Sequence, residues 1–247
     1  MEWNRNYFTP SEDSIFSFFV VFGEFEDGVN ISASKYNFTE LPEGTVIQKY
    51  HDAAAPDYRD SLREGYLWEE LSQENPGLAE KVKAAPSCMV VSLEAPDQET
   101  LDYLRNTIGL VTYFLDNGGV CVYEPQRFKW WAPDDWRELV FGPKEFKPFE
   151  HTTILVSKQE DGSFWYHTRG LRLFARPDLS VHNVTPETSA SVIEMINRFI
   201  EFQALGGLID DRKSISMSGL PSSMWCEHKG SIDDHDFNNK HIEIHWA

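Results

Sequence analysis

Four of the eight histidines in this 247-residue chain, His228, His235, His241 and His245, fall within its last twenty residues. Imidazole and carboxylate groups together are donors for Zn²⁺ or Fe²⁺, and a catalytic site would keep one coordination position open for water. In "HIEIHWA" the side chains alternate if the segment is a strand, so His241, Glu243 and His245 share one face and Ile242, Ile244 and Trp246 the other. Residues four apart on a strand are separated by about 13 Å, too far for His241 and His245 to hold one ion. At most one adjacent pair, His241 with Glu243, about 7 Å apart at Cα, could share a divalent metal such as Zn²⁺, with Cys226, His228, Asp234 and His235 as added donors from a neighbouring loop. The plainer expectation is no cofactor, with these groups on the wet face of an amphipathic last strand.

A second group lies in "FKWWAPDDW", where Trp130, Trp131 and Trp136 stand beside Asp134 and Asp135. Indole rings next to carboxylates suit a sugar platform or a cage for a cationic ligand. They equally suit the end of a hydrophobic core or the anchor of a protein interface. His167 and Arg169 complete the candidate binding residues. A hairpin through Glu160-Asp161-Gly162 is expected to bring His151 and His167 together near its open end, and His182 follows on the next strand; paired imidazoles can do acid–base work. No phosphate-cradling glycine loop, nucleophile elbow, zinc helix or C-x-x-C motif is present. No catalytic residue is assigned, and whether the protein is an enzyme stays open.

The elements that must position these residues read as an α+β protein: a mixed sheet covered by helices, with one βαβ unit and a central hairpin. "SIFSFFVVF" and "EGTVIQKY" are strand-like, and residues 58–85 form a helical stretch broken at Asn75-Pro76-Gly77. "SCMVVSLEA" is a strand. Pro96 and Asp97 are expected to start a helix of about twenty residues with Leu101, Leu104, Ile108, Val111 and Leu115 as its apolar stripe, and "VCVYE" returns as a strand. Pro133 opens a short helix. "HTTILVSKQ" and "SFWYHTR" form the hairpin, and "LSVHNV" is a further strand. Thr185 with Pro186 is expected to cap a helix whose inward face holds Val192, Ile193, Ile196, Phe199 and Ile200. "SISMSG", "SMWCEH" and "HIEIHW" close the chain as strands. Residues 1–84 are an N-terminal half and residues 85–247 a C-terminal half, expected to complete one compact domain.

At "HTRGLRLFARPDLSV" the chain resembles a family of uncharacterised bacterial domains that carry Thr-x-Gly-Leu/Met, then Phe-Gly, then Pro-Glu-Leu-Glu-Ile. The matching positions are Thr168, Gly170, Leu171, Phe174, Pro177, Asp178, Leu179 and Val181. The resemblance extends over residues 60–210. Ala175 replaces the family's glycine and Ser180 its second glutamate. It implies an α+β fold, and some members look like accessory or toxin-immunity proteins. The residues also make structural sense unaided: Gly170 permits a tight exit from the hairpin, Leu171, Leu173 and Phe174 form an apolar knuckle, and Pro177 ends the turn.

Composition narrows the partners. A net charge of −18 repels nucleic-acid phosphate and anionic membranes, so neither is expected as a partner, and a basic protein is. The excess acid is spread along the chain, sixteen acids to seven bases over residues 1–84 and twenty-four to fifteen thereafter. Three cysteines are too few for a disulfide framework, and Cys88 and Cys121 sit in apolar runs. The opening "MEWNRNYFTP" lacks the basic and apolar regions of a signal peptide, and no apolar run reaches eighteen residues. The expectation is a cytoplasmic, immunity-like interaction protein; the alternative is a metal-dependent or small-molecule enzyme built on the C-terminal His, Asp and Glu residues.

Overall fold

The computed structural model describes residues 3–26, 28, 30–51 and 56–246. Both helix and sheet contribute, and the fold is α+β. The chain divides into two units, one made of residues 1–3, 17–95 and 101–146, the other of residues 4–16, 96–100 and 147–247.

The first unit is built on strands β1 (Ser14–Gly23), β2 (Thr45–His51), β3 (Ser87–Pro96), β4 (Gly119–Glu124) and β5 (Lys129–Trp131), in the spatial order β2-β3-β1-β4-β5. Its helices are α1 (Ala33–Tyr36), α2 (Pro56–Ser61), α3 (Tyr66–Glu74), α4 (Pro76–Ala84), α5 (Asp102–Asp116) and α6 (Pro133–Asp135), the last running into a π-helical turn over Trp136–Phe141. Two strands from the first 84 residues thus share a sheet with three from beyond them. β3 pairs with β2 along its length, from Thr45 opposite Leu93 to His51 opposite Ser87, so the sheet runs across residue 84.

Local signals explain the helices. Asn75 accepts a hydrogen bond from the Leu78 amide at 3.1 Å, and Pro76 fills the first position of α4, where no N–H is needed. Leu104, Ile108, Val111 and Leu115 of α5 are buried, each contributing roughly 1.5–3 kcal/mol of transfer free energy. The turn into β4 requires glycine at 118, which has φ +109° and where a Cβ would lie 1.9 Å from the Glu24 carbonyl oxygen. The crossover from β3 through α5 to β4 is split, because β1 lies between the two strands and pairs antiparallel with β4. Helix α5 starts at Asp102, not at Pro96: β3 continues to Pro96, and Asp97 is drawn into an ion cluster described below.

In the second unit β6 (Thr153–Lys158), β7 (Phe164–Arg169), β8 (Asp178–Val184), β9 (Ser214–Ile215), β10 (Met224–Lys229) and β11 (His241–His245) form a mixed sheet in the order β6-β7-β8-β11-β10-β9. The β6–β7 hairpin forms as its sequence indicates. Strand β11 lies inside the sheet, parallel to β8 and antiparallel to β10. Helix α7 (Ser189–Ala204) packs against β8 and buries Val192, Met195, Ile196 and Ile200. The helix begins at Ser189 because Thr185 and Thr188 close a separate turn, the Thr188 amide bonding to the Thr185 carbonyl at 3.1 Å.

The 168–181 element is a hydrogen-bonded knuckle. Asp178, fully buried, accepts from Thr168 Oγ1 and Asn239 Nδ2 at 2.8 Å each and from the Leu171 amide at 3.3 Å. Burial raises its pKa to about 6 against the pull of those donors. Gly170 and Ala175 bracket the 3₁₀ turn Leu171–Phe174, both at positive φ. Beside it, Asp97 accepts from Arg5 Nη1 at 2.5 Å and from Arg176 Nη1 at 2.7 Å, all three side chains being closed to solvent. Backbone carbonyls take the remaining guanidinium donors: Phe174 and Ala204 for Arg5, and Thr9, Gly206 and Gly207 for Arg176. A buried charge is tolerated only when it is paired and saturated in this way.

Candidate functional site

The two faces of the second sheet differ in chemistry. One carries Tyr166, Leu179, Val181, Cys226, Ile242 and Ile244, all buried, and Tyr166 Oη meets Ser189 Oγ of α7 at 2.6 Å. On the other, the ladder aligns Leu155, His167, Ser180, Glu243 and Glu227 across five adjacent strands. His241 pairs with Lys229 and His245 with Trp225 on the same side. On this face Trp165 stacks with His167 and His182, Trp225 with His245, and Phe237 with His241, and the sequence-level candidates of the second unit converge there.

Trp165 lies between two imidazoles. Its ring centroid is 4.0 Å from that of His167 and 5.1 Å from that of His182, with the latter rings 3° from parallel, and its Nε1 donates to Ser180 Oγ at 2.9 Å. His182 Nε2 is 3.8 Å from Glu243 Oε2; the imidazole is 43% exposed and the carboxylate 10%. Phe237, from the segment before β11, stacks on His241 at 4.1 Å and meets His167 edge-on at 5.5 Å. Further along, Glu227 Oε2 meets His245 Nε2 at 2.9 Å, Glu227 Oε1 accepts from Arg212 at 2.8 Å, and the Arg212 guanidinium also lies 4.7 Å over the Trp225 ring.

His167 is 6% exposed, and its buried Nδ1 has no hydrogen-bond partner. Burial, reinforced by the Arg169 guanidinium two residues away, lowers its pKa to about 4 despite the opposing pull of Asp236. Burial likewise lowers that of His241, against the pull of Asp234 and Glu243. Both rings are therefore neutral at neutral pH, and an imidazole that stays neutral there is a hydrogen-bonding group rather than a cation.

The alternation expected for the last strand is present, with Ile242 and Ile244 inside and His241, Glu243 and His245 on the opposite face. That face is less wet than an outer strand's would be, because β11 is internal and residues 231–240 cover part of it. His235 lies exposed in the covering segment. Cys226 and His228 register with Ile244 and Ile242, so they project away from His241. Among the described residues no group of three His, Cys, Asp or Glu side chains is placed to hold a metal ion. The expected pairing of His151 with His167 gives way to Leu155 opposite His167, because β6 starts at Thr153 and His151 belongs to the preceding 3₁₀ turn. Arg169 is buried and donates through Nη1 to the Asp236 carbonyl oxygen, which makes it a tether of the covering segment.

The tryptophan cluster of the first unit packs largely inward. Trp131 is buried and donates to Glu124 Oε2 at 3.2 Å; Trp136 is buried and donates to Thr112 Oγ1 at 2.9 Å. Trp130 stacks on Tyr123 at 4.0 Å and packs on Phe22. Asp134 and Asp135 point outward, Asp134 bridging to Arg137 at 3.1 Å. Trp131 and Trp136 fill core positions, and Trp130, half-buried, packs against the core.

Composition could not have found Trp165 and Phe237, but Trp165 stands two residues from His167, which on a strand places both on one face. Comparison of the chain with protein-family models, with curated proteins and with solved structures finds no match to any of them. Function must be argued from this face and from the charge of the molecule.

Proposed function

We propose that this is a cytosolic binding protein that engages a basic protein partner through the Trp165–His182–Glu243 face of its second sheet. The observation that carries the reading is the contrast between the two sides of that sheet: one is apolar and buried, with α7 on it, while the other presents stacked aromatic rings interleaved with Glu243 and Glu227. Half-exposed aromatic groups supply contact area at low entropic cost, and carboxylates among them select a cation. A net charge of −18 steers a basic partner toward such a face. None of the helices is long and apolar enough to cross a membrane among the described residues, in keeping with an encounter in solution.

The test is capture of proteins at low and high salt with the wild type and with the double variant His182→Ala/Trp225→Ala, followed by calorimetry with the purified partner. The reading expects a basic protein that is lost at high salt and lost from the double variant. A partner that binds both forms equally would refute it.

A further inference from the structure

The segment between β10 and β11 is held over the imidazole face by contacts of two kinds. Phe237, which is buried, inserts its ring between His241, stacked at 4.1 Å, and His167, met edge-on at 5.5 Å. The backbone on either side is tied by arginine, Arg169 Nη1 donating to the Asp236 carbonyl and Arg172 Nη1 to the Asn238 carbonyl at 3.2 Å. Asn239 closes the segment through Arg176 O and Asp178 Oδ2. Few apolar groups hold it down, since Phe237 is the one buried apolar side chain between Ser231 and Lys240. Segments of that kind open locally at far lower free energy than the ladders beside them.

We propose that residues 231–240 form a proton-gated cap: protonation of His167 releases Phe237 and uncovers Trp165, His167 and His241. A charged imidazole must donate from both ring nitrogens, and the buried Nδ1 of His167 faces no acceptor. Burial is the first obstacle to that charge, and Arg169, His182 and His241 add to it against the pull of Asp236. On its own strand lies Arg169; on β8, His182; on β11, His241 beside Glu243; on β10, Lys229 and Glu227; on the cap, Asp234 and Asp236, with Lys240 paired to Asp13; and β6 offers only Leu155. Asp178 is already engaged by Thr168 and Asn239. The Trp165 indole attracts an imidazolium, but this attraction is also available to a hydrated His167 once the cap is open.

The sign of the effect follows from linkage. A histidine whose pKa lies lower in the closed state than in the open one leaves the closed state intact above the open-state value and weakens it as pH falls toward the closed-state value. With His167 near 4 when closed and about 6.5 when open, cap opening should increase about 20-fold between pH 7 and pH 5. As regulation of a binding surface the proposal rests on the reading of this face given above. Its structural test does not, so the two can fail separately.

Hydrogen exchange of the full-length protein, corrected for intrinsic rates, reads the opening at the Asn238 amide, which bonds to the Asp234 carbonyl at 2.6 Å. The expected result is protection at Asn238 that falls about 20-fold from pH 7 to pH 5, while the β7–β8 ladder stays protected. In His167→Phe, which keeps a flat ring and cannot ionise, protection should not change with pH. Equal protection at both pH values, or the full pH dependence retained in His167→Phe, overturns the proposal. Should His167→Phe not fold, an NMR titration of the wild-type ring decides: a midpoint below 5 supports the gate, and one at or above 6.5 refutes it.

Discussion

Trp165 and His182 lie face to face on neighbouring strands, their rings 5.1 Å apart and 3° from parallel, with the indole N–H fixed by Ser180. The contact orients His182 so that its Nε2 stands 3.8 Å from Glu243 while almost half of the ring remains in solvent. A side chain pinned in this way loses little conformational entropy when a partner arrives.

Trp165→Phe keeps a flat ring in the stack and removes the donor to Ser180. The loss of one such hydrogen bond should cost about 1 kcal/mol, read as a shift of the urea midpoint at unchanged slope. The proposed partner should bind this variant more weakly, because His182 loses its fixed orientation.

The ion cluster in the second unit should be far more sensitive. Asp97→Ala leaves the Arg5 and Arg176 guanidinium groups buried without their shared counter-charge, and about 3–5 kcal/mol of stability should be lost in chemical denaturation. Exposed Asp134 paired to Arg137 is the control, and Asp134→Ala should change stability by less than about 1 kcal/mol.

Trp136 distinguishes a core role from a ligand role in the tryptophan cluster. It is buried, is bonded to Thr112 and packs edge-on against Phe19 and Trp131. Trp136→Ala should cost about 3–5 kcal/mol in the same denaturation measurement. A variant of normal stability that had lost a bound sugar or cation would return these residues to the role of a platform.

Much of this fold was legible in the sequence, and the exceptions share a cause. The period-two pattern of "HIEIHW" correctly separates Ile242 and Ile244 from His241 and Glu243, because alternation is a property of a strand alone. It cannot name the neighbour: β11 pairs with β8, some sixty residues earlier, and that pairing is what makes the strand internal and brings Glu243 beside His182. Pro96-Asp97 carries the signature of a helix start, but the competing demand of two buried arginines for one carboxylate delays the helix to Asp102. Likewise the apolar bulk of Trp130, Trp131 and Trp136 is visible in the sequence, whereas the direction in which each indole points depends on Glu124, Thr112 and Tyr123. The α+β class follows from local pattern. The candidate face follows from long-range pairing, which local pattern does not encode.

Binding through that face is the central claim, and the most direct measurement is the salt dependence of affinity for the captured basic partner, with wild-type protein and with His182→Ala/Trp225→Ala compared by calorimetry. The account predicts wild-type affinity that falls steeply with rising salt and a loss of about tenfold or more in the double variant at low salt, equivalent to about 1.4 kcal/mol. Affinity that ignores salt, or that is the same for the two proteins, would contradict it.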